Sequence, residues 1–140
     1  MSLKQEIIEL CYEYKVRDLY VFGSRADEIL AMLNNQTGDA GKNGSDIDLG
    51  IFPEEFQEWS PSKKVNFTIE LEDLFQSGQI DLVLLPEADP YLALDIIRGE
   101  LIYTRDPDQQ ARYELYVLRR AEDLLPFKKA KMQMLVGERY

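Results

Sequence analysis

Four short runs of β-forming residues constrain the fold of this chain more than any other feature. They cover residues 18–22 (DLYVF), 46–52 (DIDLGIF), 79–85 (QIDLVLL) and 100–104 (ELIYT), and a glycine or proline follows each of the first three. Runs bounded by turn residues in this way predict strands. Segments with helical character lie before, between and after them. Because single strands alternate with helices, the sequence predicts an α+β (α/β) fold in which a small mixed β-sheet carries helices on its face.

Capping residues and prolines mark where the helices begin and end. Ser2 with Gln5 resembles a capping box, and Ser24 is a favourable N-cap residue. The predicted helices cover 3–15, the segment after Ser24, 61–76, 90–99 and 107 to about 125, with a last short helix over about 127–136. We expect Pro126 to break or kink the chain between the last two, because proline lacks the N–H that an interior helical position donates.

The composition excludes several kinds of catalytic site. Histidine is absent, and Cys11 is the only cysteine. The chain therefore cannot form a Ser-His-Asp triad, a His-ligated zinc site or an intramolecular disulfide by itself. The single thiol is compatible with a reducing compartment. Catalysis would have to rest on carboxylates, hydroxyls, other polar side chains or a cofactor, and carboxylates with divalent cations are the first candidates.

Charge is distributed unevenly along the chain. The formal net charge of −10 argues against a protein that coats DNA or RNA through a basic face. Residues 1–106 carry a net charge of −12, whereas residues 107–140 carry +2. This division agrees with a predicted core over 1–105 and a C-terminal helical extension over 106–140 within the same domain. No signal peptide and no apolar run approaching the ~20 residues of a membrane span is visible, so we expect a cytoplasmic protein without direct DNA or membrane contact.

Three aspartates lie in the predicted strands. Asp46 and Asp48 are two residues apart in DIDLGIF, so a strand would turn both carboxylates to one face and bury Ile47 and Leu49 on the other. Asp81 is the acid in the otherwise apolar QIDLVLL. If these strands are neighbours, the three carboxylates meet, and their repulsion requires a cation or protons. Oxygen ligands without histidine or cysteine suit Mg²⁺ or Mn²⁺.

A glycine-serine turn follows the first predicted strand. Gly23 allows close approach of the backbone, and Ser24 offers a hydroxyl at a helix N-terminus, where backbone N–H groups favour a phosphate. Arg25 adds a cation, so these three residues are candidates for nucleotide binding. Ordinary capped turns and solvent-facing acids at strand ends can have the same local sequences. The order in which the motifs occur is therefore more informative than any one of them.

In that order, VFGSRADE, SDIDLGIF and IDLVLL resemble the minimal nucleotidyltransferase family, a branch of the polymerase-β-like superfamily. The family pattern is a hydrophobic residue with Gly-Gly or Gly-Ser, then D-x-D, then a third acid on a later strand. The resemblance extends over roughly residues 2–105. It includes DPYLALDIIRGELIYTRD, which is similar to the helix and strand that end the family's core.

The resemblance implies a role for each matching residue. Gly23 and Ser24 match the motif that holds the triphosphate. Asp46 and Asp48 match the metal-binding pair, and Asp81 matches the third carboxylate, which assists metal binding and activates the acceptor hydroxyl. All three aspartates are thereby expected to be both catalytic and metal-ligating.

Two features depart from the family pattern. Glu28 stands where the pattern G-S-R-A-x-G has its second glycine. The segment between Ser24 and D-x-D holds 21 residues, about twice the usual length, and its Gly- and Asn-rich part over 34–45 is predicted to be a loop. Insertions in loops cost little, so this length bears on substrate access more than on the catalytic geometry.

The resemblance implies transfer of AMP from ATP with two Mg²⁺ or Mn²⁺ ions. Small members of the family resemble antitoxins that adenylylate a tyrosine of a HEPN-domain toxin, and we expect such a partner here. A nucleotidyltransferase of the aminoglycoside type, which modifies a small molecule, is one alternative. A non-catalytic antitoxin that neutralises its partner by binding is another. Both a homodimer and a hetero-oligomer are compatible with the sequence.

Overall fold

The computed structural model describes residues 1–35, 46–55 and 57–136. Most of the predicted loop over 34–45 lies outside these ranges. The helices are α1 (Leu3–Glu13), α2 (Ala26–Asn35), α3 (Pro61–Phe75), α4 (Pro90–Ile97) and α5 (Pro107–Val136), and the strands are β1 (Val16–Phe22), β2 (Ile47–Pro53), β3 (Ile80–Leu84) and β4 (Glu100–Thr104). All four predicted strands are therefore present.

The four strands form one mixed sheet in the order β3-β2-β1-β4. Strand β1 pairs antiparallel with both β2 and β4, whereas β2 and β3 are parallel. Parallel neighbours need a crossover connection, and α3 supplies it between β2 and β3. The prediction of a small mixed sheet with helices is confirmed. Strand β2, which carries Asp48, lies between β1 and β3.

Helices cover both faces of the sheet. On one face, α1, α2 and α3 bury residues such as Ile7, Ile29 and Leu71 against the strands. On the other face, Tyr20 of β1 packs with Ile96 of α4 and with residues of α5. Burial of large apolar side chains on both faces stabilises the sheet, at roughly 1.5–3 kcal/mol for each fully buried side chain.

Helix α4 approaches the centre of the sheet closely because one strand residue has no side chain. A Cβ atom added to Gly50 of β2 would lie only 2.6 Å from Cγ2 of Ile96. Gly50 therefore faces α4. Asp48, two residues earlier on the same strand, lies on the same face of the sheet.

A buried polar cluster ties the first half of α5 to the sheet. The Tyr20 hydroxyl donates a hydrogen bond of 2.7 Å to Glu114 and accepts one of 2.8 Å from Gln110. Gln110 also donates to the Glu114 carboxylate. Tyr20 is fully buried, and its hydroxyl is satisfied by these partners, as a buried polar group must be.

Several details of the helices differ from the predictions. Helix α1 ends at Glu13, two residues before the predicted end at residue 15. Helix α5 continues through Pro126, so the predicted break and the separate helix over 127–136 are wrong. Proline removes one hydrogen bond at a cost of about 3 kcal/mol, and the many other bonds of this 30-residue helix can offset it. Helix α2 begins at Ala26, so Ser24 lies in the preceding turn and is not its N-cap. Helix α4 ends at Ile97, two residues before the predicted Gly99.

The N-caps of two other helices agree with the sequence. Ser2 accepts a hydrogen bond from the backbone N–H of Gln5, and Ser60 accepts one from that of Lys63.

Among the helices in the described part of the chain, none has both the length and the apolar character needed to cross a bilayer.

Candidate active site

Three residues form a row across the sheet at the end of β1. Asp48 on β2 lies opposite Phe22 on β1 and opposite Asp81 on the parallel strand β3. Residues in register on neighbouring strands point to the same face, so both carboxylates occupy the face that α4 covers farther along β2. Ile47 and Leu49 are buried on the other face, as the alternation predicted.

Asp46 directly precedes β2 and is exposed to solvent. It is close enough to Asp48 for their charges to interact. Burial raises the pKa of the Asp48 carboxyl above its ordinary value, and the negative charges of Asp81 and then Asp46 raise it further. The structure thus brings the three predicted aspartates into one electrostatic cluster, with Asp48 at its centre.

Gly23 presses the turn after β1 against this cluster. Its φ angle is +80°, a left-handed conformation that glycine adopts without strain. A Cβ atom at this position would lie 2.3 Å from Oδ2 of Asp48, well inside van der Waals contact. Glycine is therefore favoured here by its backbone conformation, and any larger residue would also have to displace the Asp48 carboxylate, against which the turn lies.

The other two residues of the turn lie in contrasting surroundings. Ser24 is exposed, whereas Arg25 is only 2% exposed. The Arg25 Nε donates a hydrogen bond of 2.8 Å to the carboxylate of Glu28, three residues along α2. Glu28, which departs from the family pattern, thus serves as a partner for a buried cation. The sequence did not anticipate this inward position of Arg25, whose role in nucleotide binding stays a prediction.

A cleft of about 240 Å³ begins at the turn. Its described lining consists of Gly23, Ser24, Ala26 and Asp27 from the turn and α2, and Asp95, Arg98, Gly99 and Glu100 from the junction of α4 with β4. The second group was not identified from the sequence. The only sequence signal was an arginine directly before a glycine at the predicted end of a helix. That pair of residues is common in proteins of all kinds.

The donor chemistry of the aspartates fits a hard divalent cation, because Asp46, Asp48 and Asp81 offer only oxygen atoms. In the ranges that the structure describes, no three His, Cys, Asp or Glu side chains are already gathered closely enough to hold a metal ion. Asp48 and Asp81 lie in register on neighbouring strands, and their carboxylates would have to turn about their side-chain torsions to reach one cation. The raised pKa of Asp48 agrees with this, because uncompensated negative charge is what a cation would neutralise.

Comparison with known proteins identifies the family. The family model described as "Polymerase beta, Nucleotidyltransferase" matches residues 5–108. The chain belongs to this family. The match includes the glycine-serine turn, the D-x-D strand and β3, so the resemblance seen in the sequence is confirmed. A search of curated proteins finds no match.

This nucleotidyltransferase also resembles solved structures along nearly its whole length. One is a tri-AMPylated HEPN toxin of Shewanella oneidensis in complex with its MNT antitoxin, with a TM-score of 0.69, 15% identity and 96% of each chain covered. Another is a toxin–antitoxin complex with AMP-PNP, with a TM-score of 0.68 and 17% identity over 95% of this chain and 98% of that one. A third is a doubly substituted MntA toxin–antitoxin complex, with a TM-score of 0.71 and 16% identity over 95% and 98% of the two chains. At these identities the likeness establishes the fold.

The contact between Gly23 and Asp48 yields a testable prediction. We expect Gly23→Ala to lower the free energy of unfolding by about 1–3 kcal/mol, because the new Cβ meets Asp48 and the left-handed φ is unfavourable for alanine. Urea denaturation measures this change. Gly78→Ala is the matched control: a Cβ there has no neighbour within 4 Å, so we expect a change within about 0.5 kcal/mol. Equal effects of the two substitutions would contradict the packing described for Gly23.

The charge cluster yields a second prediction. A carboxyl whose pKa is raised in the folded state destabilises the protein as the pH rises through that pKa. In the presence of a chelator, we therefore expect Asp48→Asn to raise the melting temperature by about 2–5 °C at pH 7. The difference should shrink as the pH falls towards the ordinary aspartate value of 3.8. A lower melting temperature for Asp48→Asn at pH 7 would show that the carboxylate stabilises the free protein.

Proposed function

We propose that this protein transfers AMP from ATP to a hydroxyl group, namely that of a tyrosine, on a HEPN-type partner toxin. It thereby acts as the antitoxin of that toxin. The observation that carries the proposal is the row of Asp48 and Asp81 with Asp46 beside it, directly against the turn at Gly23. That arrangement combines ligands for a divalent cation with a backbone turn suited to phosphate.

The structural neighbours support the choice of partner. They include a HEPN toxin that carries three AMP groups and a complex that contains the ATP analogue AMP-PNP. The likeness covers at least 95% of this chain and of each of these neighbours. An ATP-dependent reaction on a partner toxin implies a compartment that supplies ATP, which agrees with the expected cytoplasmic location.

The reaction is a displacement at the α-phosphorus of ATP. The acceptor oxygen forms a bond to this phosphorus, the bond to the bridging oxygen of the β-phosphate breaks, and pyrophosphate leaves. Two Mg²⁺ or Mn²⁺ ions, held by Asp46, Asp48 and Asp81, would neutralise phosphate charge and lower the pKa of the acceptor hydroxyl.

Residues of this chain bind the phosphates and accept the proton of the acceptor hydroxyl. The exposed Ser24 hydroxyl and the backbone at Gly23 bind the phosphates and fix their orientation. Asp81, on the strand next to Asp48, accepts the proton of the acceptor hydroxyl. Buried Arg25 holds Glu28 and thereby the first turn of α2. No step requires histidine, which agrees with its absence from the chain.

Removal of two carboxylates tests the catalytic part of the proposal. We expect Asp46→Asn combined with Asp48→Asn to abolish transfer of label from α-labelled ATP while the thermal unfolding transition is retained. Asp73→Asn, an exposed position on α3 outside the cluster, is the control and should retain wild-type transfer. Wild-type labelling by the double variant would refute the assignment of these aspartates.

Mass spectrometry of the partner tests the acceptor. A HEPN-domain protein from a neighbouring gene is incubated with this chain, ATP and Mg²⁺. We expect its mass to increase by one or more AMP units, and the increase should map to a tyrosine. If the double variant still binds the partner and suppresses its toxicity without modifying it, the protein neutralises by contact and not by catalysis.

A further inference from the structure

The nucleotide-binding turn shares its cleft with an arginine that the family motifs do not include. Arg98 lies at the C-terminal end of α4, is exposed, and lines the same cleft as Gly23 and Ser24. Among the described residues, no hydrogen bond or ion pair occupies its guanidinium group. Its charge is thus available to a ligand in the cleft.

The position of Arg98 is fixed by the glycine that follows it. A Cβ atom on Gly99 would lie 2.4 Å from the carbonyl oxygen of Val21 and 2.8 Å from Cβ of Phe22. The end of α4 therefore contacts the end of β1 directly, one residue before the turn at Gly23. Because Gly99 lies against the backbone of Val21 and the first side-chain atom of Phe22, the base of the neighbouring Arg98 side chain has little freedom to move away from the turn.

Among the described residues that line the cleft, Arg98 supplies the positive charge. The other ionisable residues in its described lining are Asp27, Asp95 and Glu100, all negative. The cation that the sequence offered at this turn, Arg25, is buried and paired with Glu28. A triphosphate that approaches the turn would meet repulsion from the three acids, and Arg98 is the cation in the described lining that can offset it.

We propose that Arg98 binds the β- and γ-phosphates of the nucleoside triphosphate and thereby orients the pyrophosphate that leaves. This inference rests on the proposed function and deepens it, because it adds a substrate-binding residue from the α4–β4 junction. A guanidinium group can donate two parallel hydrogen bonds to a phosphate, so it fixes orientation as well as charge. In this proposal Arg98 does not contact the adenosine part of the nucleotide.

Equilibrium binding of three ligands separates this role from a structural one. Wild type, Arg98→Ala and Arg98→Lys are titrated with ATP, inorganic pyrophosphate and AMP in the presence of Mg²⁺. For Arg98→Ala we expect the affinity for ATP and pyrophosphate to fall about tenfold or more, while the affinity for AMP changes less than about twofold. Arg98→Lys should lie between wild type and alanine, because lysine keeps the charge and loses the paired donors.

Arg112→Ala provides the matched control. Arg112 is an exposed arginine of α5 outside the cleft lining, so its removal changes the net charge equally and should leave all three affinities unchanged. Affinities of Arg98→Ala within twofold of wild type for ATP and pyrophosphate would overturn the inference. An equal loss for AMP would also overturn it, because it would indicate distortion of the site. If wild type itself binds no ATP, the proposed function fails, and this inference fails with it.

Discussion

The antiparallel pairing of β1 with β2 is the constraint on which the site depends. It places the end of β1 opposite Asp48, so the chain must turn immediately beside a carboxylate. Glycine at this position lets the turn lead into α2 without displacing the acid. Strand β3 adds Asp81 in parallel register, and α3 provides the crossover that parallel pairing requires. Sheet topology alone thus brings together segments that are 25 to 60 residues apart in sequence.

Much of the fold could be predicted because local signals agreed with one another. The first three strands combined β-forming residues with a turn residue after them, and the alternation in DIDLGIF correctly placed Ile47 and Leu49 in the core. Pro126 was misjudged because its effect on a helix depends on how many other bonds the helix keeps, which local sequence does not determine. Ser24 was misjudged because serine also favours turns, and the first helical residue lies two positions farther along.

The clustering of the three aspartates could be predicted from residue type and spacing, whereas the positions of the arginines near the candidate site could not, because they depend on packing. Three aspartates in apolar strands are unusual enough to be found from sequence. Arg25 and Arg98 have the same side chain, yet one is buried beside Glu28 and the other lines the cleft. Their difference follows from tertiary contacts, namely the start of α2 and the approach of Gly99 to β1, and neither contact leaves a distinct pattern in the sequence.

The position of β3 has a consequence for the solution behaviour of the protein. Within the described residues it is an edge strand of the sheet, and such edges offer unpaired backbone groups to other chains. This edge is only five residues long, has Pro86 just beyond its end, and carries the charge of Asp81. All three features discourage strand-to-strand aggregation. Besides the catalytic role proposed for it, Asp81 therefore keeps a charge on this edge, and a neutral residue in its place would leave the edge more prone to pair with other strands.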